Sequence, residues 1–405
     1  MERPSSISRQ VSTHEVMTVV ANHGPISRAS IARKTGFSKQ TTSEIIRALE
    51  TKGWIQEVGR TTGNIGRTAV LYTVMPGAAY IIGVDLGGTK VTAAIADMTC
   101  RIVIEETQLT HVDGGHHVVA QITDFCRHLA KKADIAWEKI LLCVIGTPGV
   151  VNPISGFVDF APNLPEFNTL PLRESLSQSL KLDVVVENDV NLAVIGEHWQ
   201  GAGQGVDNLA FIAVGTGVGQ GLMIDGSLVR GARGGAGEIG YLPIGANPFS
   251  ETAKTIGAFE SVVGGNALLR RYKEKGGSRE TIKGMFEDYK HGEETAQEVI
   301  DETARLIALG VVATTSLFDP EKVIFGGSIG EQEVLVEKIK DILPTCMSHP
   351  TPVEVSKLGN RAHIMGAVAV GLNKLHDTMF GSGLQNSGVL LPSVKTFSGR
   401  QELSL

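Results

Sequence analysis

"GVDLGGTK", residues 83–90, ends an apolar run in an aspartate and a pair of glycines. The wider stretch "AYIIGVDLGGTKVTAAIAD" (79–97) reads as strand, tight turn, strand. Gly87 and Gly88 carry no Cβ, so the backbone N–H groups of the turn can point at an anion. Thr89 adds a hydroxyl, and Asp85 at the strand end can hold a metal-bound water beside a phosphate. A Gly-Gly turn serves any hairpin, so this stretch alone does not decide the matter. Repetition does. "AVGTGVGQGLMIDG" (213–226) runs strand, Gly215-Thr216-Gly217, strand, and "KVIFGGSIG" (322–330) ends a strand in Gly326-Gly327, where a flat adenine ring could lie on bare backbone.

Between these loops lie "GTPGVVNPISGFVDFAPNLP" (146–165) and "VVVENDVNLAVIGE" (184–197). The second carries a buried strand into Asp189 at a helix start. An aspartate at the C-terminal end of a strand, facing a cleft, suits the general base for a sugar hydroxyl. It equally suits the cap of a helix beginning near Val190. Both readings stand.

The composition bounds the alternatives. At 405 residues the chain holds two or three domains, and 42% hydrophobic with 20% charged residues describes a globular protein. No apolar run approaches the ~18 residues that a bilayer span needs, so no membrane partner is expected. "MERPSSISRQ" has no apolar core behind its charges and does not read as a secretory signal. Cys100, Cys126, Cys143 and Cys346 are far apart with no CxxC pair, which fits a reducing cytoplasm. The charge is uneven. Residues 1–75 hold ten basic and five acidic residues, a net +5 that leaves −11 on the rest of a chain whose total is −6. A basic head on an acidic body suits a nucleic-acid reader on a domain that avoids phosphate backbones.

The head has its own pattern. "STHEVMTVVANHG" (12–24) starts with a capping box, Ser12 and Glu15, followed by helix-spaced apolar residues. Ser27 caps a short second helix that ends at Gly36, and Ser38 caps a third over "KQTTSEIIRALETKG". This spacing predicts a helix-turn-helix, and "WIQEVG" and "AVLYTV" around "RTTGNIGRT" add a wing. A recognition helix offers its first turn and a half to base edges, which nominates Lys39, Gln40, Thr41 and Ser43. Arg60 and Arg67 in the wing suit a narrow minor groove. The competing reading is a winged helix used for protein contacts.

The ordered array DLGGTK, TPGVV…APNLP, ENDVN, GTGVG, GEIG and FGGSIG resembles the ROK family of sugar kinases and sugar-responsive repressors, and the leading winged helix resembles its repressor branch. The resemblance implies an α/β protein: a winged helix-turn-helix over 1–75, then an actin-like, ribonuclease H-like fold of two lobes. Lobe one would take 80–195 plus 361–379 and lobe two 196–360, with 380–405 a mobile tail. It implies sugar ligands at Asn163, Asn188, Asp189, Glu238 and Glu260, with Asp189 the base of any kinase activity, and nucleotide contacts at the three glycine loops. Family members commonly carry a histidine after GEIG and a cysteine cluster that bind zinc. Here Tyr241 follows GEIG, and Glu251, Ala253 and Ala258 stand at the cysteine positions, so no zinc is expected and Tyr241 is the candidate to offer a hydroxyl to the sugar. Phe167, after APNLPE, reads equally as a wall for a sugar face and as core.

Two functions remain. One is a DNA-binding regulator, a homodimer on operator DNA whose body senses a sugar or sugar derivative. The other is an ATP- and Mg²⁺-dependent sugar kinase that carries a DNA-binding head. Intact phosphate loops fit both; the head favours the regulator.

Overall fold

The computed structural model describes residues 7–60, 68–159, 166–167 and 170–380. Arg67, Asn163 and the tail beyond Phe380 lie outside the described residues. The chain divides into two compact units, residues 1–187 with 367–405, and residues 188–366.

The first unit opens with the head. Helix α1 (Ile7–His23) leads through strand β1 (Ile26–Ser27) to α2 (Arg28–Thr35) and α3 (Lys39–Thr51), followed by strands β2 (Ile55–Arg60) and β3 (Val70–Val74) in the sheet order β1-β3-β2. The capping expectations hold for the two shorter helices: Ser27 Oγ accepts the Ser30 N–H and Ser38 Oγ accepts the Thr41 N–H. Gly36, in the left-handed region at φ 73°, ends α2. The capping box at Ser12 is a correction, because α1 begins at Ile7 and places Ser12 inside it. Val16, Met17 and Val20 bury as their spacing requires, and Ile31, Ile46 and Leu49 are buried on the other two helices of the head.

The same unit holds a five-stranded sheet of β4 (Tyr80–Leu86), β5 (Lys90–Asp97), β6 (Ile102–Leu109), β7 (Ile140–Thr147) and β10 (Asp183–Asn188), with the small ribbon β8 (Val150–Val151) and β9 (Val158–Asp159) beside it. The order is β10-β7-β4-β5-β6, with β4 antiparallel to β5 and parallel to β7. Helices α4 (Gly115–Lys132) and α5 (Leu172–Leu180) bury Ile122, Phe125, Leu129 and Leu176 against it. Phe167 is fully buried in this core, which settles it as packing.

The second unit repeats the plan. Strands β11 (Leu209–Val214), β12 (Val218–Ile224), β13 (Ser227–Leu228), β14 (Lys322–Gly326) and β15 (Val353–Val355) take the order β13-β12-β11-β14-β15. In both sheets the first strand is central, flanked by an antiparallel meander on one side and a parallel strand on the other. Around the second sheet lie α6 (Asp189–Gln200), α7 (Glu251–Ile256), α8 (Glu260–Val263), α9 (Gly265–Glu274), α10 (Ile282–Lys290), α11 (Glu294–Phe318), α12 (Gly327–Gly330) and α13 (Glu333–Cys346). Helix α14 (Ala362–Phe380) runs from this unit back into the first. Among the described residues no helix is long and apolar enough to cross a membrane.

Two boundaries differ from those expected. Helix α6 groups with the second sheet, because Val190 and Val194 lie over Gly219 and Gly221 of β12. The head groups with the first sheet and the end of α14, through contacts that no sequence separation announces.

Within the second unit α6 and α14 cross backbone to backbone. A Cβ on Gly366 would lie 1.8 Å from the Leu192 carbonyl oxygen, and one on Gly196 would lie 2.2 Å from that of Ala362. No rotamer relieves a clash with main chain. Gly366→Ala should therefore cost at least about 2 kcal/mol, read as a fall in the denaturation midpoint at constant slope. An unchanged midpoint would mean that the helices separate freely.

Candidate functional site

The end of β10 is turned into α6 by Asn188, whose Oδ1 accepts the Asn191 N–H at 3.0 Å. The cap is thus Asn188, and Asp189, expected as the alternative cap, is the first helical residue. Asp189 Oδ1 accepts the N–H of Val190 at 2.8 Å. The loop after β13 is docked on β12 by Gln220 N–H to the Gly237 carbonyl at 3.0 Å, which brings Glu238 to the same region. Glu260 opens α8 and accepts the Val218 N–H on Oε2 at 2.8 Å.

Three carboxylates therefore face one recess of the second unit. Burial raises the pKa of Glu238, and the charges of Asp189 and then Glu260 push it further. Burial raises that of Glu260, opposed by the hydrogen bond from Val218. Burial also raises the Tyr241 phenol, with Glu238 and Glu260 adding to it. Glu238 stays open to solvent, so water limits the repulsion. Acceptors crowded this way suit a ligand rich in hydroxyl donors.

The segment where the resemblance expects zinc is held by other means. Ser250 caps α7 through the Ala253 N–H, Phe259 N–H donates to the Gly240 carbonyl at 3.0 Å, and Tyr241 Oη donates to the Thr255 carbonyl at 3.3 Å. Ala253 and Ala258 are buried as apolar packing. These side chains do not fit a thiolate-bound zinc. Tyr241, the residue expected to offer its hydroxyl to a sugar, thus has the Thr255 carbonyl as its acceptor in this structure.

The glycine loops of this unit converge. Gly215 N–H closes its turn on the Gly217 carbonyl at 2.9 Å, Gly265 N–H donates to the Gly215 carbonyl at 2.8 Å, and a Cβ on Gly215 would sit 3.6 Å from Ser328 Oγ. Gly326 and Gly327 also have packing duties: a Cβ on Gly326 would strike the Phe211 ring, and Gly327 has φ +80° against the Val214 carbonyl. Thr216 lies on the rim of the same turn. In the first unit Gly87 N–H closes the hairpin on the Lys90 carbonyl at 2.9 Å, and Thr110 Oγ1 holds the Gly87 carbonyl at 2.7 Å. Asp85 pairs opposite Thr92 at the end of β4, and Gly88 and Thr89 form the turn.

In the head, Lys39 and Gln40 are exposed at the start of α3, and Thr41 and Ser43 are partly so. Thr41 Oγ1 shares a 2.8 Å hydrogen bond with the capping Ser38, and Gln40 Nε2 donates to Glu44 Oε1 at 3.1 Å. Glu44 was missed in the sequence. Its place one helical turn after Gln40 was the available signal, because i and i+4 share a face. Arg60 is exposed at the end of β2 with Glu57 3.9 Å away.

The ROK family model matches residues 81–374, and a MarR family model matches residues 7–62. The chain belongs to the ROK family. This ROK chain is 28% identical over 389 residues to the xylose repressor of Caldicellulosiruptor bescii, covering 91% of this chain and 97% of that one. Among solved structures, a ROK family transcriptional regulator homologous to the E. coli MLC protein matches 93% of this chain and 99% of its own at TM-score 0.76 and 22% identity. A ROK family glucokinase from Streptomyces griseus, solved with glucose and AMPPNP, is 30% identical at TM-score 0.63, covering 72% of this chain and 99% of its own. The two-lobe actin-like fold and the winged helix are thereby established.

The carboxylate recess makes a pH prediction. A Glu238 pKa raised by folding means that the folded protein binds its proton more tightly than the unfolded chain does. That contribution to stability is full below the unfolded carboxylate pKa of about 4 and is lost as pH rises through the raised value. Glu238→Gln should therefore raise the melting temperature at pH 7, with the gain vanishing near pH 4. A gain of equal size at both pH values would show that the repulsion is absent.

Proposed function

We propose that this protein is a sugar-responsive DNA-binding transcriptional repressor, in which the ROK body senses a sugar and the winged helix binds operator DNA. The observation that carries this reading is the joint presence, on one chain, of an α3 whose first turn presents Lys39 and Gln40 and of the recess of Asp189, Glu238 and Glu260. The full-length match to a xylose repressor supports the same pairing of head and body. Asn188, Asp189, Glu238 and Glu260 accept the sugar's hydroxyl protons, and Asn163 joins them. A homodimer presents two heads to a pseudo-palindromic operator.

Lys39, Gln40, Thr41 and Ser43 read base edges, while Arg60 and Arg67 hold backbone or minor groove. Gln40→Ala should cost about 1–3 kcal/mol on the operator and relax preference at one base pair. Arg60→Ala should weaken all sequences alike and lower the salt slope by about one. Mobility-shift titrations on operator and scrambled DNA at two salt concentrations measure both. Equal losses from both variants on both DNAs would overturn the groove assignment.

A second reading, an ATP-dependent sugar kinase, is favoured by Asp189 at the head of α6 and by the glycine turns at 87–88, 215–217 and 326–327. Glycine turns of this kind suit nucleotide phosphates, and ATP with Mg²⁺ would supply the transferable phosphoryl group. Asp189 would take the proton from the sugar hydroxyl. The two readings separate cleanly in Asp189→Asn, which removes the base and keeps hydrogen-bonding capacity. We expect this variant to lose any phosphorylation by at least about 100-fold while it retains most of the sugar-dependent change in operator affinity. If the sugar response disappeared with turnover, and the wild type responded only with ATP present, phosphorylation would itself be the signal.

A further inference from the structure

Among the described residues, one set of unassigned ligating groups lies where the head meets α14. His14, on α1, sets Nε2 3.0 Å from Asp377 Oδ1. His376, 1% exposed, packs its ring edge against His14 with centroids 4.4 Å apart. Ligand atoms of His14, His376 and Asp377 lie within 4.8 Å of one another.

One carboxylate oxygen faces both imidazoles: Asp377 Oδ1 lies 3.0 Å from His14 Nε2 and 3.9 Å from His376 Nδ1. The other ring nitrogen of His376, Nε2, lies 3.4 Å from Thr18 Oγ1, which orients the imidazole from outside, as an outer hydrogen-bond partner does behind a metal-bound histidine.

We infer that His14, His376 and Asp377 form a binding site for one divalent transition-metal ion that joins the first helix of the DNA-binding head to the last helix of the body. Two imidazoles and one carboxylate are the donor set of zinc-class ions, whereas calcium and magnesium take oxygen ligands. Asp377 is partly exposed, at 43% of its side chain, which gives the ion an entry path and water positions to complete its shell. This site shares no residue with the 251–258 segment, whose side chains do not fit zinc. An ion here would tie α1 to α14 and so restrict the freedom of the head.

The competing account is a plain His14–Asp377 ion pair, and a second trio, the exposed His111, Asp113 and His117, is the natural decoy. The experiment uses untagged full-length protein stripped with a chelator and titrated with Co²⁺. Absorbance follows the ion, and tryptophan emission reports its place, since Trp54 stacks edge-on with Phe380 at 5.2 Å and Phe380 lies 5.4 Å from His376. We expect saturation at one ion per chain, competition by Zn²⁺, and quenching that Trp54→Phe removes. His14→Gln and Asp377→Asn, both at partly exposed positions, should each weaken binding by more than about tenfold, with unchanged far-UV circular dichroism. The double variant His111→Gln/His117→Gln should bind as the wild type does. No saturable binding below about 1 mM, or binding lost in the decoy double variant and kept in His14→Gln, would overturn the site.

Discussion

The Val218 N–H donates to Glu260 across Gly217, and the second unit is organised around that bond. A Cβ on Gly217 would lie 2.7 Å from the Glu260 carboxylate, so the bond exists because residue 217 is glycine. The glycine turn and the carboxylate recess therefore share an atom-level contact. This resolves the puzzle of a regulator that keeps phosphate loops. The GTG turn seats Glu260, and Gly326 and Gly327 make room for Phe211 and the end of β11. Loss of these glycines would distort the carboxylate recess even in a protein that never turned over ATP. Intact loops are what a sensor built on this fold needs, and they carry less weight for catalysis than their sequence suggests.

Local bonds were legible in the sequence, and bonds that depend on distant partners were not. Ser27 and Ser38 were legible as caps because a cap is a local bond to an amide three residues on. The Ser12–Glu15 pair matched the same pattern inside a helix, since the motif cannot register that the chain upstream is already helical. Asn188 and Asp189 are adjacent and both cap well, so only coordinates assign the role. The motif array located the recess and its carboxylates. It did not report that Tyr241 spends its proton on Thr255 or that Gln40 pairs with Glu44, because those are choices among rotamers. The grouping of the head with α14 was out of reach, resting on partners such as His14 and Asp377, which are 363 positions apart.

The wall of the recess has consequences for sensing. A structural zinc contributes about 10–16 kcal/mol to the fold of its loop. The 238–260 segment instead relies on contacts such as Phe259 N–H to Gly240 and Tyr241 Oη to Thr255, each worth about 1 kcal/mol net. A segment held this way can be rearranged by a ligand, whereas one cross-linked by metal resists. A hundredfold change in operator occupancy needs about 2.7 kcal/mol of coupling. In the proposed sensor, two or three hydrogen bonds of this kind, made or broken on sugar binding at Glu238 and Glu260, would be of that size. Carboxylate repulsion would add to the same balance in the proposed sensor, since a hydroxyl donating to Glu238 would offset the charges of Asp189 and Glu260 that raise its pKa. On that reading the energy for a switch would come from the recess itself, with no contribution required from phosphoryl transfer.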